Sequence, residues 1–427
     1  ARAMGRKRSR KSSHRARQGL PSPNVAGPAS QGDGDGDSDG ISDAPSGRGL
    51  FREYYARQRL LRAADGWRSF GASMRSPLPV TFRMCTLQAR YASAIACWSE
   101  GIRLVRDLEA ATGRQGHALE WCDGYQLALS KVELKNDSSA AAQRLQRWLV
   151  DASERGLVLR QELVSMLPAA FLQVRPNDCV LDMCASPGSK TAQLLEAVAH
   201  GPEGGAVVAN DASPRRAYML AHRVKALGSD LNVVVVTHRG QTLPLACVDG
   251  DYDRVLCDVP CSGDGTLRKE PSLWPRWRPG LGLQLHTLQL QLAMRAAALL
   301  RVGGTMAFST CSLNPIEDEA VVAALLLRTR GSMELLDTTA LLPQISRMPG
   351  LKHWQVIDDE MRLHASYEAS QHAEHLHALD APTASACRRR LRRSMFPPPA
   401  HVVGGLHLER CQRFMPHLSN TGGFFIA

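Results

Sequence analysis

Nowhere along the 427 residues do apolar side chains run together for the roughly 18 positions that a bilayer-spanning helix requires. No membrane partner is therefore expected. The opening ARAMGRKRSRKSSHRAR lacks the apolar stretch of a secretory signal, which points to the cytosol or nucleus. Met4 reads as a natural start, with Ala1 to Ala3 incidental. The 11 cysteines include no CxxC pair and no histidine-rich cluster at zinc spacing, so no metal site is expected. In a reducing compartment they are expected to be free thiols.

Charge of one sign is missing from each of two N-terminal stretches. Residues 2–17 hold eight Lys/Arg and no acid, and residues 18–43 hold five Asp and no base. The rest, from Ala44 onward, keeps 44 basic against 36 acidic residues. That excess suits a polyanionic partner, because Lys and Arg contacts to phosphate dominate nucleic-acid affinity. A merely solvated basic surface would show the same balance.

Three regions follow from composition. Residues 1–49, with QGLPSPNVAGPASQGDGDGDSDG, cannot bury a core and are expected to be a disordered tail whose basic leader could address the nucleus or touch RNA. Residues 50–154 mix apolar and polar positions at helical spacing, with LFREYYARQRLL and AAAQRLQRWLVDA as helices and SPLPVTFRM as a strand. They are expected to form a small accessory α/β domain. From 155 to 427 strand and helix alternate, the pattern of a parallel sheet covered on both faces. The expected strands are 178–183, 206–211, 232–236, 253–258 and 305–310. Before the last of them, Leu285, Leu288, Leu292 and Leu299 share a helical face that Gly303 and Gly304 are expected to terminate.

The first of these strands runs into Cys184, Ala185, Ser186, Pro187, Gly188, Ser189 and Lys190, and a helix follows. Ligands of open α/β sheets bind beyond the carboxyl ends of the strands, so this turn is where a cofactor belongs. Neither GxGxxG nor GxxxxGK[ST] is present, which argues against nicotinamide cofactors and P-loop nucleotides. A cofactor without phosphates, such as S-adenosyl-L-methionine, needs only a glycine-bearing turn and an acid for its ribose, here Asp211 at the end of the second strand. An ordinary strand–turn–helix is the competing reading.

Cys261 in DVPCSGDG and Cys311 in STCSLNPIEDE both fall just past strand ends on that same side. Loops of Pro, Ser, Gly and Asp are poor places to pack a buried thiol. Cys85, Cys97, Cys122, Cys179, Cys247, Cys257, Cys387 and Cys411 read as structural. Carbon 5 of cytosine is too weak a nucleophile to take a methyl group from a sulfonium, but a thiolate added at carbon 6 makes it carbanion-like. Charge then builds toward ring N3, where a carboxyl group such as Asp258 lowers the barrier. A second thiol can assist the final elimination. Two cysteines and Asp258 are a sufficient set for that reaction.

LDMCASPGSKTAQLLE, YDRVLCDVPCSGDGTLRKEPSLW and GGTMAFSTCSLNPIEDEAV resemble the Sun-type (RsmB/NOP-type) RNA cytosine-5 methyltransferases. RQELVSMLPAAFLQVRPND, MFPPP and LHLERCQRFMPHLSNTGGFF resemble specifically their eukaryotic tRNA-methylating branch. The similarity is densest from Arg160 to Pro315, returns from Met395 to Phe425 and is weaker over residues 50–110. The resemblance implies a class I S-adenosylmethionine-dependent methyltransferase fold behind a small N-terminal RNA-binding domain. It also implies Cys311 as nucleophile and Cys261 as the thiol that releases product. Residues 184–190, Asp211 and Asp258 would meet the cofactor, with Lys190 also near the cysteines. The expected partner is tRNA, the expected state a monomer, the expected place the nucleus or nucleolus. An rRNA methyltransferase of the same family, or a silent RNA-binding or ribosome-assembly factor, are the alternatives.

Two departures stand out. Arg239 occupies the position after the third strand where the family has an acid for the adenine amino group, and an arginine accepts no hydrogen bond. The chain ends at Ala427 where the tRNA branch typically continues, so a truncated chain is expected. The segment from Gln355 to Cys387 matches nothing and leads into RRRLRR (Arg388 to Arg393), read as a contact for RNA phosphates.

Overall fold

The computed structural model describes residues 47–61, 64–87, 92–199, 204–228, 232–244, 252–371 and 391–427. The tail expected to be disordered lies outside them up to residue 46, as do Cys247, Cys387 and Arg388 to Arg390.

Two helices come first, α1 (Gly47–Arg57) and α2 (Ala64–Arg75). Phe51, Tyr54 and Tyr55 recur at helical spacing and are buried, which fixes the face α1 presents. That face packs with Leu267, Trp277, Leu313 and Met415, so α1 sits on the larger, C-terminal part of the molecule although the sequence groups it with the accessory region.

An antiparallel sheet in the order β2-β3-β1-β4 follows, built from β1 (Pro79–Met84), β2 (His117–Leu119), β3 (Gly124–Ser130) and β4 (Val158–Arg160). The helices α3 (Ala92–Thr112), α4 (Lys131–Asn136) and α5 (Ala140–Glu154) intervene. The chain turns into α4 through a capping box, in which the Ser130 hydroxyl accepts from Glu133 N and the Glu133 carboxylate from Ser130 N. A core of Phe82, Leu104, Leu145 and Trp148 joins sheet and helices. β4 carries this layer to Arg160, past the junction expected near residue 154.

After α6 (Leu163–Phe171) come β5 (Cys179–Asp182), α7 (Ser189–Val198), β6 (Ala206–Asn210), α8 (Pro214–Leu227), β7 (Val233–Val236), β8 (Tyr252–Asp258), α9 (Gly280–Leu299), β9 (Leu300–Thr310) and α10 (Glu319–Thr329). Neighbours in β9-β8-β5-β6-β7 all run parallel. The inner strands β5 and β8 bury both faces, while Val234 on the edge strand β7 is exposed. Leu181, Val255, Cys257 and Phe308 pack on the side of α9 and α10, while Val180, Leu256, Ala209 and Ala307 pack on the side of α7 and α8. This is the class I arrangement.

Two sequence expectations need correction. The buried stripe of α9 runs through Leu283, His286, Leu290, Ala293 and Ala296; Leu292 and Leu299 join it, but Leu285 and Leu288 are only partly buried. The two alanines let the helix lie close to the sheet. Gly303 and Gly304 do not end it. The chain leaves the helix at the extended Leu300, and both glycines lie within β9, Gly303 at φ 77°.

The C-terminal part adds β10 (Met348–Pro349), the hairpin β11 (Val356–Ile357) and β12 (Leu363–His364), then β13 (Gln412–Phe414) and β14 (Phe424–Ile426). β14 pairs antiparallel with β9, β13 with β14 and β10 with β13. Among the described residues the main sheet thus has eight strands, ordered β10-β13-β14-β9-β8-β5-β6-β7. Of the RRRLRR motif, Leu391 is buried and Arg393 pairs with Glu368 at 2.6 Å.

Candidate active site

Strand register decides which side chains meet. Asp182 is level with Ala209 on β6 and Leu256 on β8, and Asp258 is level with Ser309 on β9. The loops that follow all leave from one edge, and the sheet's order reverses between β5 and β8, where the ligand crevice of such folds lies.

On the β5 side, Ser186–Pro187 is a cis peptide and Gly188 stands at φ 98° as the residue before α7. A side chain there would be strained, and its Cβ would lie 2.8 Å from Leu220 Cδ1. Gly188 has no side chain to cap the helix, so no N-cap side chain satisfies the first N–H groups of α7. Ala185 N donates to Asn210 O at 2.8 Å, and Asn210 Nδ2 to Met183 O at 3.0 Å, which ties the loop to the end of β6. Asp211 is buried, accepts from Ser213 N at 2.9 Å and faces Arg216 at 3.3 Å. Arg216 also donates to Ser186 O at 2.7 Å, a brace the sequence reading overlooked. Arg239 lies exposed in the loop after β7.

On the β8 side, Lys190 Nζ meets Asp258 Oδ2 at 2.9 Å, and Ser309 Oγ donates to Asp258 Oδ1 at 2.7 Å. Burial works to lower the Lys190 pKa, but the Asp258 carboxylate, with Cys311 and Asp182, turns the net direction up. The ammonium also lies 5.4 Å from the centre of the Phe424 ring. Asp182 accepts from Thr191 Oγ1 at 2.7 Å, and burial pushes its carboxyl up to about 7.

Cys261 Sγ and Cys311 Sγ lie 3.2 Å apart. The hydrogen bond to Cys311, followed by burial, raises the Cys261 thiol well above its ordinary range. Burial likewise raises Cys184 and Cys257. Of the cysteines read as structural, Cys85, Cys257 and Cys411 are buried, and Cys97, Cys122 and Cys179 partly so.

The sequence reading gave no role to the two acids that hold the cysteine loops together. Glu317 accepts from Ser262 N at 2.8 Å, from Ser312 Oγ at 2.7 Å and from Gln289 Nε2 at 3.0 Å, so one buried carboxyl spans both loops. Asp264 accepts from Leu313 N at 2.8 Å and from the Tyr55 hydroxyl, which ties the same loops to α1. Both lie inside the quoted strings PCSGDG and NPIEDE, and acids among Ser, Gly and Pro beside the two cysteines were the available signal. Gly265 completes the packing. Its N–H donates to Cys311 O at 2.9 Å and its carbonyl accepts from Gly423 N at 2.8 Å. A Cβ on it would stand 2.3 Å from Gly423 O.

A family model described as 16S rRNA methyltransferase RsmB/F matches residues 169–427. The chain is 40% identical over 414 positions to the multisite-specific tRNA:(cytosine-C(5))-methyltransferase trm4b of Schizosaccharomyces pombe, covering 88% of this chain and 58% of that one. It is 37% identical to the tRNA (cytosine(34)-C(5))-methyltransferase of Drosophila melanogaster, covering 88% and 52%. Ribosomal RNA small subunit methyltransferase F of Escherichia coli is 36% identical over 190 residues, 44% of this chain and 39% of that one. Among solved structures, NSun6 from Pyrococcus horikoshii with SFG superposes with a TM-score of 0.57 at 18% identity, covering 88% of this chain and 96% of that one. At that identity the likeness is one of fold. The chain spans a little over half the length of its two eukaryotic relatives named here.

Proposed function

Because the chain belongs to the RsmB/F family of RNA methyltransferases, we propose that it methylates carbon 5 of cytosine in tRNA, using S-adenosyl-L-methionine. The observation that carries this reading is the meeting of Cys261 and Cys311 at 3.2 Å beside the Asp258–Lys190 pair. Relatives named for tRNA align over 88% of the chain and the rRNA enzyme over 44%, which favours tRNA. Two bound thiols and an ion pair kept in register weigh against a silent factor.

The residues of the β5 side fit the cofactor. The N-terminus of α7, the left-handed Gly188 and the buried Asp211 form a cradle with one glycine and a carboxylate rather than a phosphate-binding loop, suited to a ligand without phosphates. S-adenosylmethionine supplies an electrophilic methyl group on a sulfonium. The protein does the rest. Cys311, as thiolate, forms the bond to ring carbon 6, with the Cys261 sulfur 3.2 Å away. Asp258 accepts from the exocyclic amino group that distinguishes cytosine from uracil, and the Lys190 ammonium beside it meets the negative charge that builds toward N3. Carbon 5 takes the methyl group and gives up its proton to water or to the Cys261 sulfur as base. The ring double bond then re-forms as the carbon–sulfur bond breaks, and Cys261 assists that release.

The test is a denaturing gel after incubation with a tRNA transcript and methyl donor. Cys311→Ala should abolish 5-methylcytosine while leaving the fold intact, and Cys261→Ala should accumulate a covalent protein–RNA adduct. An adduct from Cys311→Ala and none from Cys261→Ala would reverse the roles. Absence of methyl transfer by the unaltered protein, on both tRNA and rRNA, would defeat the reading. The same proposal includes a monomer working in the nucleus, with residues 79–160 as an RNA-binding layer. No helix among the described residues is long and apolar enough to cross a membrane.

A further inference from the structure

α8 reaches from the cofactor turn to the antiparallel layer, and its sequence PRRAYMLAHRVKAL holds four Lys/Arg and no acid. At its C-terminal end Gly156, just before β4, packs so closely that a Cβ on it would stand 2.4 Å from Ala226 O. Near its other end stands Arg216. Arg216 and Arg223 are nearly two helical turns apart and so share a face, which both turn to the loop that carries Gly188. Their situations differ. Arg216 is engaged there by Asp211 at 3.3 Å and by Ser186 O at 2.7 Å. Arg223 brings its Cδ within 3.7 Å of the place a Cβ on Gly188 would occupy, and among the described residues it has no hydrogen bond and no acid partner.

The charged neighbours of this half-buried arginine are themselves arginines, Arg160 at the end of β4 and Arg83 on β1. Burial, and after it these two charges, lower its pKa. Arg83 is matched by Glu196 at 2.6 Å, yet its Nη2 is buried with no hydrogen-bond partner among the described residues. Arg160 is exposed and likewise has no acid partner among them. Like charges brought together repel, and burial removes the water that would screen them. An anion bound between Arg160 and Arg223 would relieve both terms.

The extent of the positive charge decides which anion. Arg215 and Lys225 are exposed on the same helix, again with no acid partner among the described residues. A single carboxylate, such as the one on the methionine part of the cofactor, would leave those charges unanswered. A chain of phosphates continues along them. The place fits too, because Gly188 stands two residues before Lys190, whose ammonium meets Asp258.

We propose that Arg160 and Arg223 together seat one backbone phosphate of the substrate RNA, so that the strand is held where α8, β4 and the Gly188 turn meet. The proposal rests on the reading above that the substrate is RNA.

The test titrates a labelled tRNA transcript with the protein across a salt series. Arg160→Gln with Arg223→Gln should lower the slope of log affinity against log salt by about 0.7–0.9, the value for one phosphate. Taking about 1 M salt as the point where the contact vanishes, that slope corresponds to roughly five- to eightfold weaker binding at about 0.1 M. Each single variant should show most of this loss, because both arginines hold the same phosphate and their effects do not add. Arg223→Lys should keep most of the slope. Without RNA, Arg223→Gln should melt no lower than the unaltered protein, since the repulsion leaves with the charge. Calorimetric binding of S-adenosylhomocysteine should be the same in every variant. If the double variant keeps both affinity and slope while the unaltered protein methylates the transcript, the phosphate seat is overturned and the methylation reading stands. A loss confined to S-adenosylhomocysteine would overturn it as well and assign the pair to the cofactor, and a lowered melting temperature of Arg223→Gln would overturn it in favour of packing. Failure of the unaltered protein to bind or methylate RNA would overturn both readings.

Discussion

A single buried carboxyl can report on this site through pH. An aspartate in an unfolded chain titrates near pH 4, whereas burial pushes Asp182 up to about 7 in the fold. Between those values the native state keeps a proton that the unfolded chain has released, so the contribution of Asp182 to stability falls as pH rises through this window and levels off above it. Asp182→Asn keeps an acceptor for Thr191 and carries no titrating group. The melting temperature of the unaltered protein should therefore drop relative to that of Asp182→Asn as pH is raised from about 4 to about 7. Burial raises Glu196, Asp264 and Glu317 too, which is why only the difference between the two proteins is informative. Parallel curves would mean that Asp182 is ionised in the fold throughout.

At the scale of elements, β13 is coupled to the N-terminus of α10 by a fully buried cation. Arg413 donates to Glu319 Oε1 at 2.6 Å, makes a second bond to that carboxylate, faces Asp318 at 3.3 Å and donates to Leu313 O at 2.9 Å, two residues beyond Cys311. Removing one partner of such a group strands the others, so Arg413→Met should cost about 3–5 kcal/mol in denaturant unfolding. Adding Glu319→Gln and Asp318→Asn should recover much of that loss. An equal loss in the triple variant would assign the effect to packing. This network also marks what was legible beforehand. β5 to β9 could be read because each contains a short apolar run ending in an acid or a polar loop, and the cysteines because both stand just past strand ends, although Asp264, Ser312 and Glu317 show that their polar loops are buried. The C-terminal pairing could not. β13 and β14 are three residues each and carry no alternation of their own, and their place beside β9 is set by contacts more than 100 residues away in sequence. Glu317, Asp264 and Arg216 were visible as residues but silent as roles, because a bracing side chain is defined by what it touches.

Taken whole, the small antiparallel layer and the main sheet share their interiors. Cys85, Leu87 and Leu159 pack in one cluster with Leu194, Leu195 and Val198, and Leu119 packs with Leu163 and Leu167 of α6. The buried Arg83–Glu196 pair, 2.6 Å apart, joins β1 to α7 across the same boundary. Shared apolar surface couples unfolding, so residues 45–427 should melt in one calorimetric transition whose van't Hoff and calorimetric enthalpies agree. Two resolved transitions would show that the layers part independently. Time enters through the strand that closes the sheet. Gly423 donates to Gly265 in the Cys261 loop and Phe424 lies against Lys190, and a ribosome that has just made Cys311 needs roughly 10 s, at 5–20 residues per second, before it makes them. For that interval the growing chain holds Cys261 and Cys311 without the strand that braces the neighbouring loop and Lys190.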